Sequence, residues 1–317
     1  MKAQPDLYAG SLPIIHVVSV SGGKDSTATI LLALHEHDPA ALVFLFADTG
    51  HEHPLTYEYL DYLEAALGIR IERLRADFTD RIAGKRRFVE EKWPQMGVPA
   101  EVVAAALEVL HPTGIPFLDL CIWKGRFPAR RSQFCTRQLK TDLLVERQLD
   151  LADAGFWVWS WQGVRADESH NRRYLPQWED LGANVGIYRP ILRWPAAACF
   201  EAMAHRGIAP NPLYTQGMTR VGCMPCINTS KDELAEIARR WPWVIDKLEA
   251  WERIVMQVSK CRGASFFPAP HDGRGALRGD NIRDYVQWAK TSHGGRQYDL
   301  LKAGEALACA SAYGLCE

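Results

Sequence analysis

Ile14-Ile15-His16-Val17-Val18-Ser19-Val20-Ser21-Gly22-Gly23-Lys24-Asp25-Ser26 sets the architecture of this chain. Its first seven residues are rich in β-branched side chains and read as a short buried strand. The loop 21–26 follows at once. Residues 27–37 then carry Ile30, Leu31 and Leu34 at helical spacing. A second apolar run, 42–46, ends at Ala47-Asp48-Thr49-Gly50. A helix is expected over 56–67 and a third strand over 70–74. This alternation of strand and helix predicts a doubly wound, Rossmann-like α/β fold with a parallel sheet. Such sheets bind ligands beyond the carboxyl ends of their strands, and the loops 21–26 and 48–53 both fall there.

Residues 80–133 interrupt the pattern. They are rich in Lys, Arg, Pro and Gly, with one clear helix expected over 100–110. The α/β pattern resumes with a helix over 136–149, a strand over 156–161 and another near Val185–Tyr188. It fades after about residue 230, where 231–260 has helical spacing. The expected organisation is a nucleotide-binding domain, 1–230, with a basic insertion at 80–133, then a smaller, mainly helical region, 231–317.

The chain has 317 residues, 47% hydrophobic and 24% charged, with a formal net charge of −1. This is an ordinary globular composition, not a disordered one. The charge balance argues against a surface coated for non-specific DNA binding, though not against a local basic groove. No apolar run approaches the roughly 18–20 residues that span a bilayer. The N-terminus lacks a charged-then-apolar leader, so the expected compartment is the cytoplasm. Thiols stay reduced there, and the eight cysteines read as core residues, metal ligands or catalytic thiols.

The loop Ser21-Gly22-Gly23-Lys24-Asp25-Ser26 sits where a strand hands over to a helix. Its glycines let the backbone approach a ligand closely, and the amides at the helix start favour an anion. Lys24 adds a positive charge, and Ser21 and Ser26 add hydroxyl donors. The spacing is neither the Walker pattern nor GxGxxG. An ordinary strand-to-helix turn capped by Ser21 is the bland alternative.

At these residues the chain resembles the PP-loop ATP pyrophosphatases, and within them the phosphoadenosine phosphosulfate (PAPS) reductase family. The resemblance continues in Asp48-Thr49-Gly50 with Pro54, Thr56 and Tyr57. It runs on through Gly163-Val164-Arg165-Ala166-Asp167-Glu168-Ser169 with Arg172, and through Gly222-Cys223-Met224-Pro225-Cys226. It spans about 14–230 in the family's order. It implies that Ser21, Gly22, Gly23, Lys24, Asp25 and Ser26 hold the terminal phosphates or sulfate of an adenine nucleotide. Asp48, at the end of the second strand, is expected to reach a ribose hydroxyl or a magnesium ion. A turn-forming role before Gly50 is its alternative. Gly163, Arg165, Glu168 and Arg172 complete the expected nucleotide set. An arginine fork suits bidentate phosphate or sulfate binding, with Glu168 orienting Arg165; a purely structural ion pair is the competing view.

Cys223-x-x-Cys226 has a spacing known for metal or cluster ligation. Cluster-bearing members of the resembled family use an adjacent Cys pair followed by such a motif. Here Cys135 stands at about the right distance upstream, but its neighbour is Thr136. Cys121 is the candidate fourth ligand. The resemblance implies a [4Fe–4S] cluster on Cys121, Cys135, Cys223 and Cys226. Zinc would be satisfied by the same four thiolates, and a metal-free redox pair is a further reading. Cys199 reads as core packing. Sulfonucleotide reductases carry a catalytic cysteine near the C-terminus, and Tyr313-Gly314-Leu315-Cys316-Glu317 shares residue types with that tail, but not their order. Cys316 is the candidate, with an inert terminus as the alternative.

Residues 123–140 hold six cations, Lys124, Arg126, Arg130, Arg131, Arg137 and Lys140, with no acid between them and with Trp123, Phe127 and Phe134 interleaved. Cations grip phosphates and aromatic faces stack on bases, which suits a nucleic acid or a second nucleotide. A solvated surface loop is the alternative.

The intact loop favours ATP with magnesium over PAPS. The expected reaction is adenylation of a substrate oxygen, with pyrophosphate leaving into the loop, followed by sulfur replacing the activated oxygen as AMP departs. Lys24, Asp25 and Arg165 are the expected catalytic groups. Nucleic-acid thiolation fits the basic segment, with a cysteine desulfurase or thioredoxin-like donor as partner. The rival is reduction of PAPS or adenosine phosphosulfate through Cys316. A non-catalytic nucleotide-binding subunit is the third reading.

Overall fold

The computed structural model describes residues 12–260, 263–267 and 281–291. A six-stranded sheet forms its centre: β1 (Ile14–Val20), β2 (Leu42–Ala47), β3 (Ile71–Leu74), β4 (Trp157–Trp161), β5 (Trp178–Gly182) and β6 (Val185–Tyr188). The spatial order is β3-β2-β1-β4-β6-β5, parallel throughout except that β5 runs antiparallel to β6. The doubly wound α/β expectation is therefore correct. The edge strand β5 escaped the sequence reading because most of its side chains are exposed, which leaves it no apolar run.

Alternate residues of each strand serve opposite faces of the sheet. Val18 and Val20 pack with Ile30, Leu31, Leu60 and Trp159 on one side. Val17, Leu45 and Val158 pack with Leu151 and Ala152 on the other. Helices α1 (Lys24–Glu36) and α2 (Pro54–Leu67) lie over the first face. Helix α6 (Asp142–Asp153) lies over the second, and α7 (Ala196–His205) packs beside α1.

The segment 80–133 holds three helices where one was expected. These are α3 (Thr79–Lys92), α4 (Ala100–Val109) and α5 (Pro116–Lys124). Helix α3 was hidden because it buries only Ile82 and Val89 among charged residues. Helix α5 was hidden because it is buried nearly all round and shows no periodicity. The helix expected over 136–149 is a helical turn, Phe134–Thr136, a wider π turn, Arg137–Thr141, and then α6. Beyond residue 230 come α8 (Lys231–Arg240), α9 (Pro242–Gln257) and α10 (Ile282–Ala289). Pro242 separates the first two, since proline is tolerated at a helix start but not inside one. Helices α3–α5 and α8–α10 share one hydrophobic cluster, with Phe117, Trp251 and Phe266 near its middle. No helix among the described residues is long and apolar enough to cross a membrane.

Candidate functional site

β1 and β4 are neighbours, but the chain leaves β1 towards β2 on the other side. That reversal opens a crevice beyond the carboxyl ends of the strands. A cavity of about 780 Å³ occupies it. Ser21, Gly23, Lys24, Asp25 and Ser26 form one wall, and Gly163, Arg165, Glu168 and Arg172 form another.

The loop is tied down on several sides. Gly22 has a φ of +74°, a left-handed conformation that favours glycine, and its carbonyl accepts from Asn211 Nδ2 at 3.1 Å. The Ser26 hydroxyl donates to Gly23 O at 3.0 Å and lies 3.1 Å from Ser21 Oγ. The backbone N–H of Lys24 donates to Tyr214 Oη at 2.9 Å, and the Lys24 ammonium stands 5.6 Å from the centre of that ring. The N-cap residue, Gly23, has no side chain to cap α1, so the first-turn amides other than that of Lys24 are suited to an anion.

Asp25 joins the two walls. Its Oδ2 meets Lys24 Nζ at 3.2 Å and its Oδ1 meets Arg165 Nε at 2.5 Å. Arg165 also lies 3.9 Å from Glu168, which in turn pairs with Arg172. Gly163 is required by close packing: a Cβ there would stand 2.9 Å from Asp25 O and 3.0 Å from Thr29 Oγ1. The Gly-Val-Arg stretch is thus pressed against the first turn of α1.

Asp48 is not on the cavity wall. Its Oδ1 accepts from the Gly50 N–H at 2.9 Å and from Tyr57 Oη at 2.7 Å, and Arg75 lies 3.3 Å from Oδ2. The turn-forming role weighed for it describes what these contacts do. Glu52, from the same loop, lines the cavity instead. Sequence reasoning did not single out Glu52, Tyr214 or Arg220, and it treated Lys140 only as one cation of the basic segment. Arg220 stands two residues before Gly222-Cys223-Met224-Pro225-Cys226, so extending that motif by two residues would have found it. Cys199 is fully buried beside Ala28 and Ile191, and its thiol also lies 3.5 Å from Asp25 Oδ1.

Four cysteines gather at the far side of the site. Cys121, Cys135 and Cys226 border the same apolar cluster. Burial, and then its neighbour Cys135, push the Cys121 thiol well up; burial, and then Cys226, push Cys135 up. Cys223 lies 3.4 Å from Thr49 Oγ1 and 3.6 Å from Glu52 Oε1. Burial pushes it up to about 12 against the pull of Lys140, with Glu52 and Cys226 adding to the rise. The structure therefore brings Cys121, Cys135, Cys223 and Cys226 into one neighbourhood. Among the described residues, however, no three Cys, His, Asp or Glu side chains stand where they would hold a metal ion. As placed, the four thiols do not fit a cluster or zinc, and no chemistry is derived through one. Cys316 lies outside the described residues.

The fold is an α/β sheet with a cavity at a strand-to-helix loop beyond the carboxyl ends of its strands. More narrowly, the chain belongs to the phosphoadenosine phosphosulfate reductase domain family, whose model matches residues 15–107 and 119–229. It is 48% identical to an uncharacterised 37.8 kDa protein of Escherichia phage 186, over 96% of this chain and 97% of that one. It is 40% identical over 202 residues to sulfate adenylyltransferase subunit 2 of Streptomyces lavendulae, covering 62% of this chain and 56% of the relative. It is also 32% identical over 120 residues to adenosine 5'-phosphosulfate reductase of Rhizobium meliloti, covering 38% and 42%. The chain thus spans nearly all of the phage relative but only about half of the two named enzymes.

Proposed function

We propose that this cavity binds ATP and that the chain catalyses adenylation for sulfur transfer. A substrate oxygen attacks the α-phosphorus, the α–β bridging bond breaks, and pyrophosphate leaves into the loop. A sulfide-level sulfur nucleophile from a separate donor then attacks the activated carbon, and AMP leaves with the oxygen that carbon had carried. Lys24 and the amides at the start of α1 take the charge that grows on the leaving pyrophosphate. Arg165, oriented by Asp25, offers a fork to the same oxygens. The observation that carries this reading is the Lys24–Asp25–Arg165 bridge, which joins an intact SGGKDS loop to an arginine on the facing wall. The test is ATP–pyrophosphate exchange with candidate acceptors. The parent should exchange, and Lys24→Ala should lose both exchange and ATP affinity. An unchanged affinity in that variant would remove the loop from the reading.

Sulfonucleotide reduction is the second reading, supported by the names of the reductase relatives. There Cys316 would attack the sulfate sulfur, releasing the nucleotide, and a thioredoxin-like thiol would then reduce the resulting thiosulfonate to free sulfite. Cys316→Ser should abolish sulfite release if this holds, and should leave exchange untouched if adenylation holds. A [4Fe–4S] cluster on Cys121, Cys135, Cys223 and Cys226, which would have to draw the four thiols closer together than they stand, is a separate proposal, tested by iron and sulfide analysis of anaerobically purified protein.

A further inference from the structure

A second cavity, of about 760 Å³, lies away from the phosphate loop, between α3, α5 and the end of α9. On α3, Arg81, Gly84, Lys85 and Phe88 fall three or four residues apart and share a face. Lys124 and Arg126 enter from the end of α5, and Lys260 from beyond α9. These five cations face a single acid, Asp80, and among the described residues none of the five has a carboxylate within ion-pairing distance.

The lining is aromatic as well as cationic. Lys124 stands 3.7 Å above the ring of Trp123, Arg81 stands 5.2 Å from it, and Lys260 stands 5.6 Å from the ring of Phe88. The rings thus hold the charged heads in place around the groove. Phe88 itself is 43% exposed, so its ring is accessible from the groove. Trp93 is only 2% exposed, and its indole N–H has no acceptor among the described residues. Gly84 sits in mid-helix, and a Cβ there would meet nothing within 4 Å. Its lack of a side chain keeps the floor open.

We propose that this groove binds single-stranded nucleic acid. Phosphates meet Arg81, Lys124, Arg126 and Lys260, and a base lies against Phe88. Phosphate contacts with cations and stacking on a ring are the two terms that hold single strands without sequence preference. A duplex hides its bases and would leave Phe88 unused. The basic segment that supplies Lys124 and Arg126 goes on to place Lys140 on the wall of the nucleotide cavity, so a strand held here is led towards it. The binding stands apart from the adenylation reading; only its use, delivery of a nucleic-acid acceptor, rests on that reading.

Fluorescence anisotropy with a labelled oligothymidylate of about 12 nucleotides tests it. The parent should bind, more weakly as salt rises, and should prefer the single strand to a duplex of the same length. Gly84→Leu fills the floor without touching a charge, and Phe88→Ala with Lys124→Ala removes the platform and one cation. Each should weaken binding about tenfold or more, with ATP affinity unchanged and no loss of thermal midpoint. Lys24→Ala should bind the oligonucleotide as the parent does, even if it no longer binds ATP. No binding by the parent, equal binding by the groove variants, a preference for duplex, or loss in Lys24→Ala would each overturn the proposal.

Discussion

Nε of Arg165 lies 2.5 Å from Oδ1 of Asp25, and both side chains are largely buried. The two are far apart in sequence, one at the start of α1 and the other just beyond β4. A single ion pair therefore fixes the distance between the phosphate loop and the opposite wall. An arginine held this way keeps part of its fork for a ligand, whereas a lysine would spend its one charge on the aspartate.

Arg165→Ala should leave Asp25 buried with Lys24 alone. Breaking a buried pair by removing one partner costs about 3 kcal/mol, so both denaturant stability and nucleotide affinity should fall. Arg165→Lys should recover much of the stability, since charge and length are kept, but little of the affinity, since the fork is lost. Denaturation curves and titration calorimetry on the two variants separate these effects. Equal recovery of both would show that only charge matters at this position.

Two glycines should respond to alanine with opposite signs. At Gly163 the new Cβ would press on Asp25 O and Thr29 Oγ1, at 2.9 and 3.0 Å. The overpacking should cost about 1–3 kcal/mol and shift the first turn of α1 away from its ligand. At Gly84, inside α3, the new methyl meets nothing, and alanine should stabilise by up to about 1 kcal/mol. Thermal melts of both variants check this. A stabilised Gly163→Ala would mean the two walls are not in contact as described.

The central fold was legible because β1, β2 and β4 are buried and bounded by turn residues, so each shows as an apolar block. The strand-to-helix loop was legible because Ser21 to Ser26 fall within one short stretch, which forms one wall of the cavity. What was not legible depends on distance along the chain. Tyr214 and Asn211 reach the loop from nearly two hundred residues away, and neither carries a local signal for it. Asp48 reads two ways because a carboxylate at a strand end has two uses, and its contacts with Gly50, Tyr57 and Arg75 are those of the turn role. Helices α3 and α5 were missed for opposite reasons, one too polar and the other too apolar to show a period.

Asn211 offers a test of how the loop is held. Its Nδ2 donates to Gly22 O at 3.1 Å, and its Oδ1 accepts from the Leu213 N–H at 3.0 Å. Asn211→Asp keeps the acceptor and removes the donor. Gly22 O then faces a carboxylate, and about 1–3 kcal/mol should be lost. Asn211→Ala removes both bonds, yet it avoids that repulsion. If the Gly22 contact dominates, the aspartate variant should bind nucleotide more weakly than the alanine variant. The reverse order would assign the role of Asn211 to the turn at Leu213.

His16 gives the chain a defined acid sensitivity. It is 5% exposed in β1, accepts from Trp161 Nε1 at 3.0 Å and stacks on His37 at 3.7 Å. Burial, and then the neighbouring His37, lower its pKa from 6.5 to about 3. The unfolded chain therefore takes up a proton at His16 that the folded chain refuses between about pH 6.5 and 3. Stability from this group is fully present above the upper value and falls as the pH drops through the window, by at most about 1.4 kcal/mol per pH unit. His16→Gln keeps an acceptor for Trp161 but cannot titrate, so its denaturant midpoint should fall less steeply with acid than the parent's. His37, lowered by burial as well, should retain a share of the slope. Midpoints measured across the window for both proteins decide the matter, and parallel curves would show that His16 is protonated in the folded state.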